Sequence, residues 1–232
     1  MLFRSVGPEV CRSILEFLNN GSEFPNVNHT RIVLIPKVAE PRYVRDYRPI
    51  SLCNIIYKMI TKTVANRLKK HLTGIIVENQ SAFVPGRLIF DNVMVAYETI
   101  HHMKNKRVGG TYQMALKLDM SKAYDRVEWG YLERIMINLG FPSRWIRLVM
   151  TCVRTVTYSV VVNGSPCGHI VPTRGLRQGD PLSPYLFLLC MEGFSALIKK
   201  AKNQGVIHGV SVTRAAPKVS HLLFADDSIV FI

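Results

Sequence analysis

Apolar residues along the chain alternate between helical and strand-like spacing, and the changes of period predict its elements. The spacing predicts a first helix over Pro8 to Leu18, stopped by Asn19-Asn20-Gly21. RIVLIP, residues 31–36, reads as a short buried strand closed by Pro36. A Pro- and Arg-rich loop follows. Then Ile55, Ile56, Met59, Ile60, Val64, Leu68 and Leu72 recur at helical spacing, while Lys58, Lys62, Arg67, Lys69 and Lys70 mostly fall off that stripe. This pattern describes a helix with a basic outer face. A second helix is expected over about Asn92 to Met103, ending before Gly109-Gly110, and QMALKLD then reads as a strand. Helices are expected again at 129–139, ending at Gly140-Phe141-Pro142, and at 143–153.

TYSVVVNGSPCGHIVP has the pattern of a hairpin turning at Asn163-Gly164. A helix from Pro184 to about Lys202 precedes a β-rich end, VIHGVSV and HLLFADDSIVFI. There is no internal repeat and no low-complexity tract. Strands scattered among helices, with two hairpins, predict an α+β fold with a mostly antiparallel sheet.

Composition narrows the function classes. The 232 residues suffice for a large core, and 48% hydrophobic against 20% charged residues excludes a disordered chain. Thirty Lys and Arg stand against 16 Asp and Glu, a net charge of +14 that favours a polyanionic partner. Much of the excess lies within residues 31–72, where the only acidic residues are Glu40 and Asp46. Arg4, Glu9 and Arg12 interrupt the first apolar stretch, which does not fit a signal-peptide core. Tyr185 to Met191, the most apolar run, is too short to span a bilayer. The five cysteines are odd in number and contain no CxxC pair, so they read as reduced, mostly buried small hydrophobes. An intracellular protein without a membrane partner is expected.

Two segments carry candidate chemistry. Within HLLFADDSIVFI, Asp226 and Asp227 are adjacent in an otherwise apolar segment. Neighbouring strand residues point to opposite faces, so both carboxylates converge only at a turn, here over Ala225-Asp226-Asp227. A solvated Asp-Asp turn fits the local sequence equally well. In ALKLDMSKAYD, Met114, Leu116 and Leu118 share one strand face while Ala115, Lys117 and Asp119 share the other. Asp119 thus ends a strand, turned from the apolar face, where a helix N-cap is the plainer use of an aspartate. Together the three carboxylates form a hard oxygen donor set suited to Mg²⁺.

LDMSKAYD, RQGDPLSPYLF and FADD, in this order, resemble the palm motifs of reverse transcriptases, closest to the non-LTR (LINE-type) retroelement branch and its plant members. Upstream, LIPK at 34–37, YRPISL at 47–52 and QSAFVPGR at 80–87 resemble that branch's finger motifs. The likeness runs from about residue 30 to the last residue. It implies a right-hand polymerase's fingers and palm, with a fingers-like region over 1–110 (helical extension 1–30) and a palm over 111–232. The palm motifs fall at 114–125, 174–187 and 220–232. No thumb is expected after Ile232, so the chain is expected to be a fragment whose own activity is in question.

The same resemblance implies roles for single residues. Asp119 and Asp226 match the carboxylates that bind two catalytic Mg²⁺ ions (Mn²⁺ being an alternative), Asp227 the third of that cluster, and Met120 a residue whose carbonyl helps hold one ion. Tyr124 matches the aromatic that excludes a ribose 2′-hydroxyl, and Gln178 and Gly179 the segment beside the incoming nucleotide. Lys37, Arg48 and Arg87 resemble finger cations that bind triphosphate. Asp125 and Asp180 read instead as capping or ion-pair residues, and an ion pair with Asp46 is the alternative use of Arg48.

The implied activity is RNA-directed DNA synthesis, with an RNA template, a DNA primer and deoxynucleoside triphosphates as partners and the nucleus as its place. The alternatives are an inactive or domesticated nucleic-acid-binding remnant and an RNA-templated RNA polymerase. A bulky Tyr124 speaks against the latter.

Overall fold

The structure is a computed structural model and describes residues 2–20, 27–106, 112–213 and 215–232, with side chains from Gly7 onward. The expected stop signals at Gly21 and Gly109-Gly110 lie outside the described residues. Contacts divide the chain into two units that interleave in sequence: residues 1–67 with 124–183, and residues 68–123 with 184–232.

In the first unit, helix α1 (Leu2–Asn20) begins earlier than its apolar pattern predicts and contains Pro8. It buries Ile14, Phe17 and Leu18. Four strands, β1 (His29–Pro36), β2 (Tyr47–Cys53), β4 (Thr157–Val162) and β5 (Ser165–Ile170), follow one another across a sheet in the order β2-β1-β4-β5. β1 pairs antiparallel with β2 from Thr30↔Cys53 to Pro36↔Tyr47. β2 lies in the segment expected to be loop. Pro49 removes a ladder donor and argues against a central strand, but β2 is an edge strand, where proline is tolerated. β1 was expected to be buried, and the structure corrects this: Leu34 and Ile35 are exposed, and only Thr30 is fully covered. Its other neighbour, β4, reaches only Ile32, which leaves the far half of β1 with one partner.

The β4–β5 hairpin forms as expected, with β4 spanning Thr157–Val162 and β5 Ser165–Ile170. Asn163 (φ 50) and Gly164 (φ 81) both take the left-handed backbone that a tight two-residue turn requires. Helices α4 (Trp129–Asn138) and α5 (Ser143–Arg154) pack together and bury Leu132, Met136, Val149 and Met150.

Helix α2 (Ile55–Ile75) has its residues to Arg67 in the first unit and the rest in the second. Its buried stripe is Tyr57, Ile60, Thr61, Val64, Leu68 and Leu72. Ile55, assigned to the stripe by spacing, is exposed, while Lys62, Arg67 and Lys70 form the basic outer face as expected.

The second unit is built on a three-stranded antiparallel sheet, ordered β3-β7-β6 (Ala115–Asp119, Asp227–Phe231, His221–Phe224). Helix α3 (Ile89–Asn105) covers one face, where Ala96, Val210, Leu222 and Phe231 form a core. Helix α6 (Ser183–Asn203) buries Leu186, Leu188 and Leu189 and reaches β6 through Ser195 and His221. β3 is an edge strand, so its expected apolar face is poorly covered, with Met114 and Leu116 exposed. VIHGVSV forms no strand, only a single bridge between Val210 and Val219. Among the described residues no helix is long and apolar enough to cross a membrane.

Candidate active site

In the second unit, the ladder between β3 and β7 runs from Ala115↔Phe231 to Asp119↔Asp227. Residues opposite each other across an antiparallel pair point the same way, so Asp119 and Asp227 share a face at one end of the sheet. Asp226 stands in the two-residue loop that joins β6 to β7, since Phe224 pairs with Asp227. The expected three-residue turn is therefore shorter, and Asp227 is already a strand residue. Met120 follows directly on Asp119 at the end of β3.

Two non-glycine residues near these carboxylates hold left-handed backbone: Ala225 at φ 57 and Lys122 at φ 55. Each costs on the order of 1–2 kcal/mol, and such strain persists only where the surroundings over-determine it.

Met114 and Ile232 exchange both main-chain hydrogen bonds, so by alternation Asp119 and Asp227 form a non-hydrogen-bonded pair, the closer kind, where like charges repel unless a cation offsets them. Lys117 supplies part of that offset, its Nζ lying 3.3 Å from Asp227 Oδ1. Both groups are largely exposed, so this pair contributes little stability. The donor chemistry suits a hard divalent cation. Among the described residues, however, no three carboxylate, histidine or cysteine side chains gather closely enough to hold an ion. What the fold provides is two facing aspartates and a third in the adjoining turn, with a lysine beside them.

The remaining expected site residues, apart from Arg87, belong to the first unit. Lys37 and Arg48 stand near the loop end of the β1–β2 pair, where Ile35 faces Arg48 and Lys37 N–H donates to Asp46 C=O (2.8 Å). Lys37 Nζ donates to Arg45 C=O (2.9 Å). Arg48 is exposed, and the alternative of an Asp46 partner is not what forms. The Asp46 carboxylate accepts from the backbone N–H groups of Arg42 and Tyr43 and faces Arg45.

Tyr124 opens a 3₁₀ turn, Tyr124–Arg126, that is laced to residues 175–176. Leu176 N–H donates to Tyr124 C=O (2.8 Å), and Gly175 N–H donates to Val127 C=O (2.8 Å). Gln178 accepts from Ser51 N–H through its carbonyl (3.1 Å), so RQGDP docks on the YRPISL strand. Gly179 has φ +101, and a Cβ there would stand 3.2 Å from Ser51 O, which makes glycine the residue that fits. A cavity of about 260 Å³ lies alongside, lined among others by Pro49, Ser51, Asp125, Tyr158 and Gln178. Burial pushes the Tyr158 hydroxyl up to about 12, so it stays protonated there.

Beneath Gln178 lies a buried ionic network whose members, apart from Asp180, spacing did not single out. Arg177 and Asp180 are 5% and 6% exposed, and their charges approach to 3.5 Å. Arg177 also donates to Asn28 Oδ1 (2.5 Å), Thr30 Oγ1 (3.1 Å) and Cys152 C=O (3.0 Å), with its guanidinium stacked on Tyr57. Asp180 accepts from the Tyr57 hydroxyl (2.9 Å) and, in a local turn ahead of α6, from Leu182 N–H (2.9 Å), so of its two expected uses the ion pair is the one that forms. Burial, then Asp180, raises the Tyr57 hydroxyl well above its ordinary range. A reader of the sequence meets Arg177 as one more basic residue; only its burial sets it apart.

Arg87, the third expected phosphate cation, is used differently. It donates to three main-chain carbonyls, those of Ile76 (2.7 Å), Val77 (2.5 Å) and Gln80 (2.8 Å), in the turn that follows α2. Carbonyls beyond a helix end lack intrahelical partners, and a forked guanidinium satisfies several at once.

Residues 35–232 match the family model described as reverse transcriptase (RNA-dependent DNA polymerase). The chain is 30% identical over 225 residues to an uncharacterised 149 kDa protein of transposon TX1 from Xenopus laevis, covering 97% of this chain and 17% of that protein. It is 28% identical over 207 residues to the Pol polyprotein of the type-2 retrotransposable element R2DM of Drosophila melanogaster, covering 89% and 18% respectively. The chain thus spans under a fifth of the length of these relatives. Its fold is similar to telomerase from Candida tropicalis, solved in complex with a fragment of telomeric RNA, with a TM-score of 0.60 at 12% identity over 98% of this chain and 40% of that one. The α+β architecture and the ordered motifs thus have a common explanation: the chain belongs to the reverse transcriptase (RNA-dependent DNA polymerase) family and is related to the polyproteins of non-LTR retrotransposons.

Proposed function

We propose that this chain carries the nucleotidyl-transfer chemistry of an RNA-directed DNA polymerase from a non-LTR retrotransposon. A primer 3′-hydroxyl attacks the α-phosphate of a deoxynucleoside triphosphate chosen by an RNA template, a new O–P bond forms, and pyrophosphate departs. The observation that carries the reading is the register Asp119↔Asp227 with Asp226 in the adjoining turn. Asp119, Asp226 and Asp227, with the Met120 carbonyl, would hold two Mg²⁺ ions once the carboxylates draw together around them, with Mn²⁺ as the natural substitute. Divalent ions bound there would supply Lewis-acid stabilisation of the charge that develops on the phosphoryl oxygens.

The chain's own residues do the rest. The exposed Lys37 and Arg48 bind triphosphate oxygens, Lys as a point charge and Arg as a planar fork. Tyr124 lies under the sugar and excludes a 2′-hydroxyl, and Gln178, fixed by the Ser51 contact, packs beside the incoming nucleotide. Arg87 stays with its carbonyls as a clamp on the turn after α2.

Primer extension on an RNA template with Mg²⁺ tests the reading, run with this chain and with a longer polypeptide that contains it. Asp119→Asn is expected to lower extension by about 100-fold or more, the scale of losing one group that stabilises developing charge. Undiminished extension by that variant, or salt-sensitive RNA binding without Mg²⁺-dependent turnover in either polypeptide, overturns the assignment. Tyr124→Val should raise incorporation of ribonucleotides relative to deoxynucleotides, and an unchanged ratio removes Tyr124 from the gate.

A further inference from the structure

β6 ends where the catalytic turn begins, and its outer edge is covered by a segment that is not a strand. Gln80 bridges to Leu223 in parallel: Leu223 N–H donates to Asn79 C=O (2.8 Å), and Ser81 N–H donates to Leu223 C=O (3.3 Å). Asn79 and Asn92 reinforce the contact, donating to His221 C=O (2.7 Å) and Leu223 C=O (3.2 Å) respectively. Main-chain pairing stops there. One step further on, the Gln80 side chain takes over: its Oε1 accepts from Ala225 N–H (3.1 Å) and from Ala82 N–H (3.0 Å).

Gln80 is 0% exposed, and its Nε2 has no partner. Turning the amide over would set its NH₂ group against two N–H donors, so the two accepted bonds fix its orientation and leave Nε2 unsatisfied. An unsatisfied buried donor is costly, and an apolar side chain of the same length would avoid it. What the amide supplies in return is an acceptor for Ala225, the residue that holds left-handed backbone at φ 57 without being glycine.

We propose that Gln80 is a positioning residue for the carboxylate turn: its side-chain carbonyl holds Ala225 in the left-handed conformation and thereby sets Asp226 in the loop and Asp227 opposite Asp119. Without that acceptor Ala225 relaxes toward the right-handed region, which turns the chain entering Asp226 and loosens the Phe224↔Asp227 pairing. The consequence for metal binding rests on the polymerase reading above; the clamp itself does not.

The test uses Gln80→Met, which removes the acceptor while keeping the length, alone and with Ala225→Gly, which adopts the same φ without strain. In the metal-free chain, Gln80→Met is expected to speed amide exchange at Ala225, Asp226 and Asp227 by about 10-fold or more, while Leu116 and Val230 in the sheet keep their protection. Mn²⁺ affinity, followed by electron paramagnetic resonance, should weaken about fivefold or more, and the added Ala225→Gly should return it to within about twofold of the parent. Unchanged exchange at 225–227, an increase spread evenly over the second unit, or no recovery by Ala225→Gly overturns the proposal. If Gln80→Met does not fold, the double variant must, because a glycine turn needs no clamp; a double variant that stays unfolded also overturns it. A parent chain that binds no Mn²⁺ and extends no primer defeats the polymerase reading, while the exchange data still decide the role of Gln80.

Discussion

His221 is 4% exposed and lies between two hydroxyls, Ser195 Oγ at 2.7 Å from Nε2 and Ser220 Oγ at 3.0 Å from Nδ1. As a neutral imidazole the ring donates to one of these hydroxyls and accepts from the other, so both nitrogens are satisfied without a charge. Burial, with the Lys202 charge adding to it, lowers its pKa to about 4. The folded value lies below the unfolded one, so between about 6.5 and 4 the unfolded chain binds the extra proton. Stability is therefore full above about pH 6.5 and falls as pH drops toward 4, by about 3 kcal/mol from this residue. Urea midpoints measured across that range should show the decline, and His221→Gln should flatten it; an unchanged slope would place the acid sensitivity elsewhere. Arg177 behaves in the opposite sense, as a charge that must be kept. Arg177→Met strands Asp180 in the core and should cost about 3–5 kcal/mol in urea unfolding. Arg177→Met combined with Asp180→Leu should recover much of that loss, because no buried charge then lacks a partner.

Elements set by local chemistry were legible in the sequence, and those set by tertiary pairing were not. The Asn163-Gly164 turn was readable because a tight hairpin demands left-handed backbone at both positions, and both have it. Gly164→Val should accordingly destabilise the β4–β5 hairpin by at least about 1 kcal/mol, since a β-branched residue cannot take φ 81 without strain. A thermal midpoint equal to the parent's would show that the hairpin tolerates another turn. β2 was not legible, because Pro49 hides a strand that, among the described residues, pairs along one edge alone, with β1. The α2 stripe was legible at Ile60, Val64, Leu68 and Leu72, all buried, but not at Tyr57 and Thr61, which join it with hydrogen bonds to Asp180, Cys152 C=O and Tyr57 C=O. Motif order singles out the three aspartates that the fold sets at one end of the β3-β7-β6 sheet, but it does not reveal the commitment of Arg87 to carbonyls. A guanidinium's partners depend on where the chain after α2 folds back, and no spacing rule encodes that.

At the scale of the molecule, the +14 charge is the property most directly tied to a nucleic-acid partner. A net charge alone does not say which surface meets the phosphates, but salt dependence does. Each phosphate neutralised on a single strand contributes about −0.7 to the slope of log K against log salt concentration. Lys62, Arg67 and Lys70 are the exposed cations of α2, outside its buried stripe. If all three contact phosphates, replacing them with glutamine should make the slope for single-stranded RNA about 2 units shallower. Fluorescence anisotropy between about 50 mM and 200 mM salt resolves a change of that size. Because these side chains lie off the buried stripe, the triple variant should keep the parent's urea midpoint, which separates lost binding from lost folding. A shallower slope with unaltered stability assigns the α2 face to the phosphates. An unaltered slope moves the contact to other basic residues, first of all Lys37, Arg42, Arg45 and Arg48, which are exposed at the loop end of the β1–β2 pair. The two surfaces differ in what they leave behind: neutralising α2 should weaken RNA of any sequence alike, whereas removing Lys37 and Arg48 should in addition raise the KM for the deoxynucleotide, since those two cations are the ones proposed to bind its triphosphate.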